Sequence, residues 1–221
     1  MTDRADGKGG EPAASLRGYV EERFAREDAV LSDLRAELEI RGFPLINVSP
    51  STGRVLQLLV SLSGGGRVLE VGTLGGYSAI WMARGLPTGG RLTTLELDPA
   101  HAAMAREFLD WAGVGDRVEI LLGDARQRIA ELGPDGSFDV VFLDADKEGY
   151  GLYASHAERL LRPGGLLLAD NAFWDGRIVE APEDAATRSL QAFNDDLAAS
   201  SVFDGTILPV GDGLAMGVKR S

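Results

Sequence analysis

Four residues in the second half of the chain have the types and spacing for metal-assisted chemistry. Asp144 and Lys147 lie in the run Phe142-Leu143-Asp144-Ala145-Asp146-Lys147, and Asp170 and Asn171 close Leu168-Ala169-Asp170-Asn171. Each pair follows an apolar run that reads as a strand, so the two are expected to converge at neighbouring strand tips. Two carboxylates and an amide oxygen form a hard donor set with room for waters and a chelating substrate. That set suits Mg²⁺, or the similar Mn²⁺ or Ca²⁺, and not zinc. Lys147, three residues after Asp144, is within reach of a substrate oxygen on such an ion. Taken singly, each carboxylate reads as a helix cap or a surface charge. Their convergence on adjacent strands is what argues for a site.

A second constellation precedes it. Val68-Leu69-Glu70-Val71-Gly72-Thr73-Leu74-Gly75-Gly76-Tyr77-Ser78 is a strand, a Gly-rich turn and a helix start, where free N–H groups receive an anionic or polar ligand. The glycines at 72, 75 and 76 miss the G-x-G-x-x-G spacing of a pyrophosphate loop. Glu70 would repel a pyrophosphate but suits an ammonium or a sulfonium, which favours S-adenosylmethionine over NAD. The next apolar run ends Thr94-Leu95-Glu96-Leu97-Asp98-Pro99, so Glu96 is the expected ligand of two ribose hydroxyls. Asp98, before a proline, reads as a helix cap. Asp124 and Ala125 follow the third run and are expected at the adenine edge, with Asp124 also able to cap the helix that starts there. Phe173 and Trp174, just past Asn171, are candidate walls for a planar aromatic substrate. Tyr150 and Tyr153 divide evenly between pocket and core, and His101 and His156 read as solvated surface residues.

The elements that must position these residues alternate regularly. Apolar runs at Arg67 to Val71, Arg91 to Leu95, Val118 to Leu122, Phe138 to Leu143 and Leu166 to Ala169 are each followed by a helix-like segment. That is the pattern of a parallel sheet covered on both faces, a doubly wound α/β fold. A helix over Thr187 to Ser200, then Val202 to Leu208 and Leu214 to Lys219 around a Pro209 to Gly213 turn, adds a hairpin at one edge. Seven strands are expected. One or two helices over Ser15 to Arg41, and an amphipathic helix capped by Ser51 and running to Leu62, precede the sheet. The predicted organisation is a loose tail over 1–12 and one domain over 13–221, whose N-terminal helices (13–62) cover the site.

Composition bounds the function. The 221 residues carry 22 Lys and Arg against 34 Asp and Glu, a formal charge of −12, which argues against nucleic acid and anionic membranes as partners. There is no cysteine, so thiolate chemistry is excluded, and with only two histidines an all-protein histidine zinc site is hard to build. Met1 to Gly10 is polar without an apolar core, and no stretch approaches the roughly 18 apolar residues of a membrane span. A cytoplasmic protein is expected.

The runs Val68 to Ser78 and Phe142 to Lys147, the turn Arg162-Pro163-Gly164-Gly165, Ala169-Asp170-Asn171 and the closing Pro209-Val210-Gly211-Asp212-Gly213-Leu214 together resemble the cation-dependent O-methyltransferases. This is the family of catechol and caffeoyl-CoA O-methyltransferases, and the resemblance is to its small bacterial members. It extends from about Asn47 to the C-terminus. It implies a class I, Rossmann-like methyltransferase fold whose last strand is antiparallel, with Asp144, Asp170 and Asn171 on the metal and Lys147 as catalytic base or electrostatic partner. It further implies that Glu96 holds the ribose, that Glu70, Gly72 and Ser78 line the methionine part of S-adenosylmethionine together with Val48, and that the protein is a homodimer. Two positions depart from the family pattern. Ser51-Thr52-Gly53 stands where many bacterial relatives have Glu-x-Gly, and Leu74 stands where catechol O-methyltransferase has an aromatic residue.

The mechanism this implies starts with a vicinal diol chelating the ion. The ion and Lys147 make one hydroxyl more acidic, and the oxyanion attacks the sulfonium methyl in line. An NAD-dependent oxidoreductase and a catalytically silent cofactor binder are the alternatives on the same architecture. The glycine spacing and Glu70 oppose the first, and the Asp144, Lys147, Asp170 and Asn171 set opposes the second.

Overall fold

The computed structural model describes residues 12–181 and 184–221. The tail expected over 1–12 falls outside them except for Pro12, which opens the first helix. Three helices come first: α1 (Pro12–Phe24), α2 (Ala29–Ile40) and α3 (Pro50–Leu62). The alternating part follows as β1 (Arg67–Val71), α4 (Tyr77–Gly85), β2 (Arg91–Glu96), α5 (Pro99–Trp111), β3 (Val118–Leu122), α6 (Ala125–Glu131), β4 (Phe138–Leu143), α7 (Tyr150–Leu160) and β5 (Leu161–Ala169). The chain ends with α8 (Ala185–Ala198), β6 (Phe203–Leu208) and β7 (Leu214–Lys219).

The seven strands form one sheet in the order β3-β2-β1-β4-β5-β7-β6. The first five are parallel, and β7 inserts antiparallel between β5 and β6. Strand order reverses between β1 and β4, and the crevice beyond their carboxyl ends is where open α/β sheets bind ligands. Side chains alternate across the sheet, so each strand feeds two apolar layers. Val68, Leu92, Val140, Phe142 and Leu168 pack under α2, α3, α4 and α5. Leu69, Val71, Leu95, Val141, Leu143 and Leu167 pack against α7 and α8. Burial on both faces explains why these strands read as continuous apolar runs.

Two local expectations shift. The third helix is capped by Ser49, whose side chain accepts from Thr52 N, and not by Ser51. Pro50 explains it, because a proline favours the first helical position, where its missing N–H needs no partner, and this makes the residue before it, two before Ser51, the cap. Strand β5 starts at Leu161 and not Leu166, pairing with β4 through Phe138↔Leu161 before a register shift. The turn expected over Arg162-Pro163-Gly164-Gly165 is thus an irregularity within a strand. Polar contacts tie the N-terminal segment to α4 and to itself: Tyr77 OH donates to Glu27 Oε1 at 2.8 Å, Arg84 pairs with Asp28, and Ser51 on α3 donates to Glu21 on α1.

Candidate active site

Register brings the candidate residues together. Strand β1 pairs with β4 up to Val71↔Leu143, and β4 pairs with β5 up to Leu143↔Ala169. Gly72, Asp144 and Asp170 therefore leave three adjacent strands at the same level. The backbone continues the ladder one step beyond, through Asp144 N to Val71 O at 2.8 Å and Asp170 N to Leu143 O at 3.0 Å. Gly72 has φ of +101°, and a Cβ there would lie 2.2 Å from Asp144 O, so only glycine allows the two strand ends to approach so closely. Leu74, Asn171, Trp174 and Asp175, the four non-glycine residues with positive φ among those described, all follow β1 or β5. Such concentration of left-handed backbone is a mark of functional loops.

Around the first loop, Glu70 is fully buried. Its two carboxylate oxygens accept from Ser78 Oγ at 2.5 Å and from Thr94 Oγ1 at 2.6 Å. Burial pushes its carboxyl up to about 8, the two hydroxyl donors pull it down in part, and the charges of Asp144 and Glu96 push it up further. A buried acid supported only by neutral donors is set to welcome a cation. Glu96 has one oxygen accepting from Thr73 N and Leu74 N and the other from Asp98 N. It braces the loop, and Oε1, with one backbone donor against two on Oε2, retains lone-pair capacity for a further hydroxyl. His101 is not a solvated surface residue: its Nδ1 lies 3.5 Å from Glu96 Oε1, and its ring meets Phe43 edge-on at 4.7 Å. Val48 is buried in the same apolar layer as Tyr77. Asp98 and Asp124 both cap helices, accepting from Ala100 N and Arg126 N, with Ala125 half-buried beside the latter.

At the second constellation, Lys147 Nζ donates to Asp144 Oδ1 at 3.0 Å and to Tyr150 OH at 2.8 Å. Asp170 is 6% exposed, and its Oδ1 is buried without a hydrogen-bond partner. Burial first, then the charge of Asp144, holds its carboxyl well above the usual range. An orphaned carboxylate oxygen beside a second carboxylate is an arrangement that a cation completes. Among the described residues no group of three His, Cys, Asp or Glu side chains could hold a metal; the neighbouring Asn171 adds an amide to the two carboxylates. Its Nδ2 donates to Asp212 Oδ2 at 3.2 Å, which orients the amide with its oxygen free. Asp212, on the turn between β6 and β7, also accepts from Asp175 N. Asp212 lies in the Pro209 to Leu214 run of the family resemblance but is not among the expected site residues.

Phe173 packs on Gly213, where a Cβ would come within 2.7 Å of its ring. Trp174 leans on the α7–α8 layer with the Arg177 guanidinium 4.4 Å above its ring, and its Nε1 is buried without a partner. Tyr150 and Tyr153 are buried, and Tyr153 OH donates to Asp146, which also pairs with Arg126.

The match to a known family model runs over residues 21–220 and is described as O-methyltransferase. The chain belongs to the O-methyltransferase family. A catechol O-methyltransferase of Niastella koreensis is 42% identical, with 93% of this chain and 97% of that protein covered. A catechol O-methyltransferase of Mycobacterium tuberculosis is 38% identical over 91% and 94% of the two chains. Among solved structures, an O-methyltransferase from Bacillus cereus in complex with SAH superposes with a TM-score of 0.86 at 35% identity, covering 93% of this chain and 97% of that one. Membership of this family does not favour the NAD-dependent oxidoreductase. None of the described helices is long and apolar enough to cross a membrane.

Proposed function

We propose that the chain transfers the methyl group of S-adenosylmethionine to a hydroxyl of a catechol-like or hydroxycinnamoyl-type phenol, with a divalent cation, Mg²⁺ or else Mn²⁺ or Ca²⁺, at Asp144, Asp170 and Asn171. The observation that carries the reading is the buried, unpartnered Asp170 Oδ1 beside Asp144, next to an Asn171 amide oriented by Asp212. Bound there, the cofactor supplies an electrophilic sulfonium methyl and the ion supplies Lewis acidity for two vicinal oxygens.

The chain's own groups do the rest. Glu70, Gly72, Ser78 and Val48 surround the methionine part, Glu96 accepts from the ribose, and Asp124 and Ala125 edge the adenine. Lys147 Nζ receives the acceptor hydroxyl's proton, and Phe173 and Trp174 flank the acceptor ring. Charge is neutralised as the methyl moves, so exclusion of water and close approach contribute more than a strong base. The names of the two bacterial relatives support a catechol acceptor, and the SAH found in the B. cereus structure is what S-adenosylmethionine leaves after giving up its methyl.

The same reading covers the site with the N-terminal helices and places the protein in the cytoplasm as a homodimer, without nucleic acid or membrane partners. Exposed Leu16, Tyr19, Val20 and Phe24 on α1 support the homodimer, which the mass in solution checks. The deciding experiment measures methyl transfer from S-adenosylmethionine to a panel of catechols and hydroxycinnamates by product mass, with Mg²⁺ and with excess EDTA. Transfer that vanishes with the chelator is expected. Transfer that survives it refutes the metal role.

A further inference from the structure

Tyr150 is fully buried at the start of α7, yet its hydroxyl is the meeting point of three elements. It accepts from Lys147 Nζ at 2.8 Å and faces two backbone carbonyls, Asp170 O at 3.1 Å and Leu143 O at 3.3 Å. Its single proton is therefore directed at the strand ends of β4 and β5, and its lone pair is left for the lysine. Burial and the surrounding charges of Asp144, Asp170 and Asp146 push the phenol upward, so it remains a neutral donor and acceptor. The ring is fixed edge-on against Phe193 with centroids 5.6 Å apart, which leaves the hydroxyl little freedom to turn away.

The consequence lies at Nζ. A lysine nitrogen has four tetrahedral directions, of which Cε takes one. Asp144 Oδ1 at 3.0 Å takes a second and Tyr150 OH a third. One direction remains, holding one proton in the ammonium or the lone pair in the amine. We propose that Tyr150 is a positioning residue for the methyl-transfer step: it restricts Lys147 to a single free direction, along which the acceptor hydroxyl gives up its proton. The proton passes from oxygen to the amine lone pair, the oxyanion then takes the sulfonium methyl, and a neutral thioether departs. This rests on the role assigned to Lys147 above. It adds that the lysine works only while the tyrosine holds it, a long side chain otherwise having many rotamers.

The test uses Tyr150→Phe, which keeps the ring and removes the hydroxyl, with Lys147→Met and the double variant. At about pH 6, where an ordinary lysine is charged, an ordered Lys147 ammonium gives a ¹⁵N resonance that is absent from Lys147→Met. In Tyr150→Phe that resonance is expected to broaden or vanish in the cofactor-free protein. With catechol and caffeate as acceptors, kcat is expected to fall about 10- to 100-fold, the loss of one hydrogen bond to a charged partner. KM for the acceptor and the dissociation constant of SAH should stay within about twofold, and Tyr150→Phe should add nothing in the Lys147→Met background. An unchanged resonance overturns the inference, as does a rate loss matched by lost SAH affinity or additive to that of Lys147→Met. Full activity of Lys147→Met instead refutes the lysine's assigned role, while the resonance still decides whether Tyr150 holds it.

Discussion

Replacing Glu70 by Gln should make the cofactor-free protein more stable, and increasingly so as the pH rises. Glu70 is fully buried and its carboxyl lies near 8 against an ordinary 4.5. Because the folded value is above the unfolded one, its contribution to stability is fully present below pH 4.5 and is lost as the pH climbs through about 8. Carried over the whole interval at 1.36 kcal/mol per pH unit, the loss is at most about 5 kcal/mol. Between pH 5 and pH 7 it is about 2–3 kcal/mol, or about 5 to 10 °C in melting temperature for a chain of this size. Gln mimics the protonated acid: its oxygen accepts from one of the Ser78 and Thr94 hydroxyls while its amide donates to the other. The assay is thermal and urea unfolding of both proteins, without cofactor, at steps from pH 5 to pH 8. Groups that do not interact with Glu70 cancel in the difference; Asp144 and Glu96, whose charges act on it, keep a smaller contribution. A difference that stays flat across that range would refute the reasoning, because it would mean that the carboxylate is solvated or already paired with a cation.

Three further outcomes are expected. In the wild type, S-adenosylmethionine affinity should rise with pH toward 8 as Glu70 ionises to meet the ammonium, and calorimetry should find that slope absent in Glu70→Gln. Gly72→Ala, which forces a Cβ to 2.2 Å from Asp144 O at a φ of +101°, should weaken SAH binding by at least about tenfold and lower the melting temperature, since strained left-handed backbone and the clash add. Asp212→Ala should weaken Mn²⁺ binding, followed by electron paramagnetic resonance, by about 10- to 100-fold through loss of its hold on Asn171; unchanged affinity would remove Asp212 from the site.

The sheet was legible because a strand buried on both faces must be apolar at every position, as β4 is over Val140 to Leu143. The C-terminal ends were legible for the same reason: the first polar residues after each apolar run are those the topology delivers to the crevice. What escaped depends on contacts distant in sequence. Asp212 meets Asn171 only because β7 inserts beside β5, and local patterning does not encode which strand becomes whose neighbour. Tyr150 read evenly between pocket and core, and it is buried while still touching the candidate machinery through one oxygen. His101 looked solvated because its partner Phe43 lies 58 residues earlier. The Ser49 cap, by contrast, is legible in Pro50, since a proline at the first helical position makes the residue before it the cap.

Strand β4 has two ends with different duties. At Asp139 the carboxylate accepts from the Arg162 guanidinium at 2.6 Å and from Arg67 N at 2.9 Å. Burial alone would raise this carboxyl, but those donors hold it below its ordinary value. About 17 Å of extended chain away, the same strand delivers Asp144 just past its last residue, Leu143. Asp139→Asn is accordingly expected to cost about 1.5–3 kcal/mol in urea unfolding while leaving kcat as it was; a changed kcat would mean that the two ends communicate. Fastening and candidate chemistry thus sit at opposite ends of one strand: substitutions at the Asp139 end are expected to move stability, and substitutions beyond Asp144 and Asn171 to move the reaction.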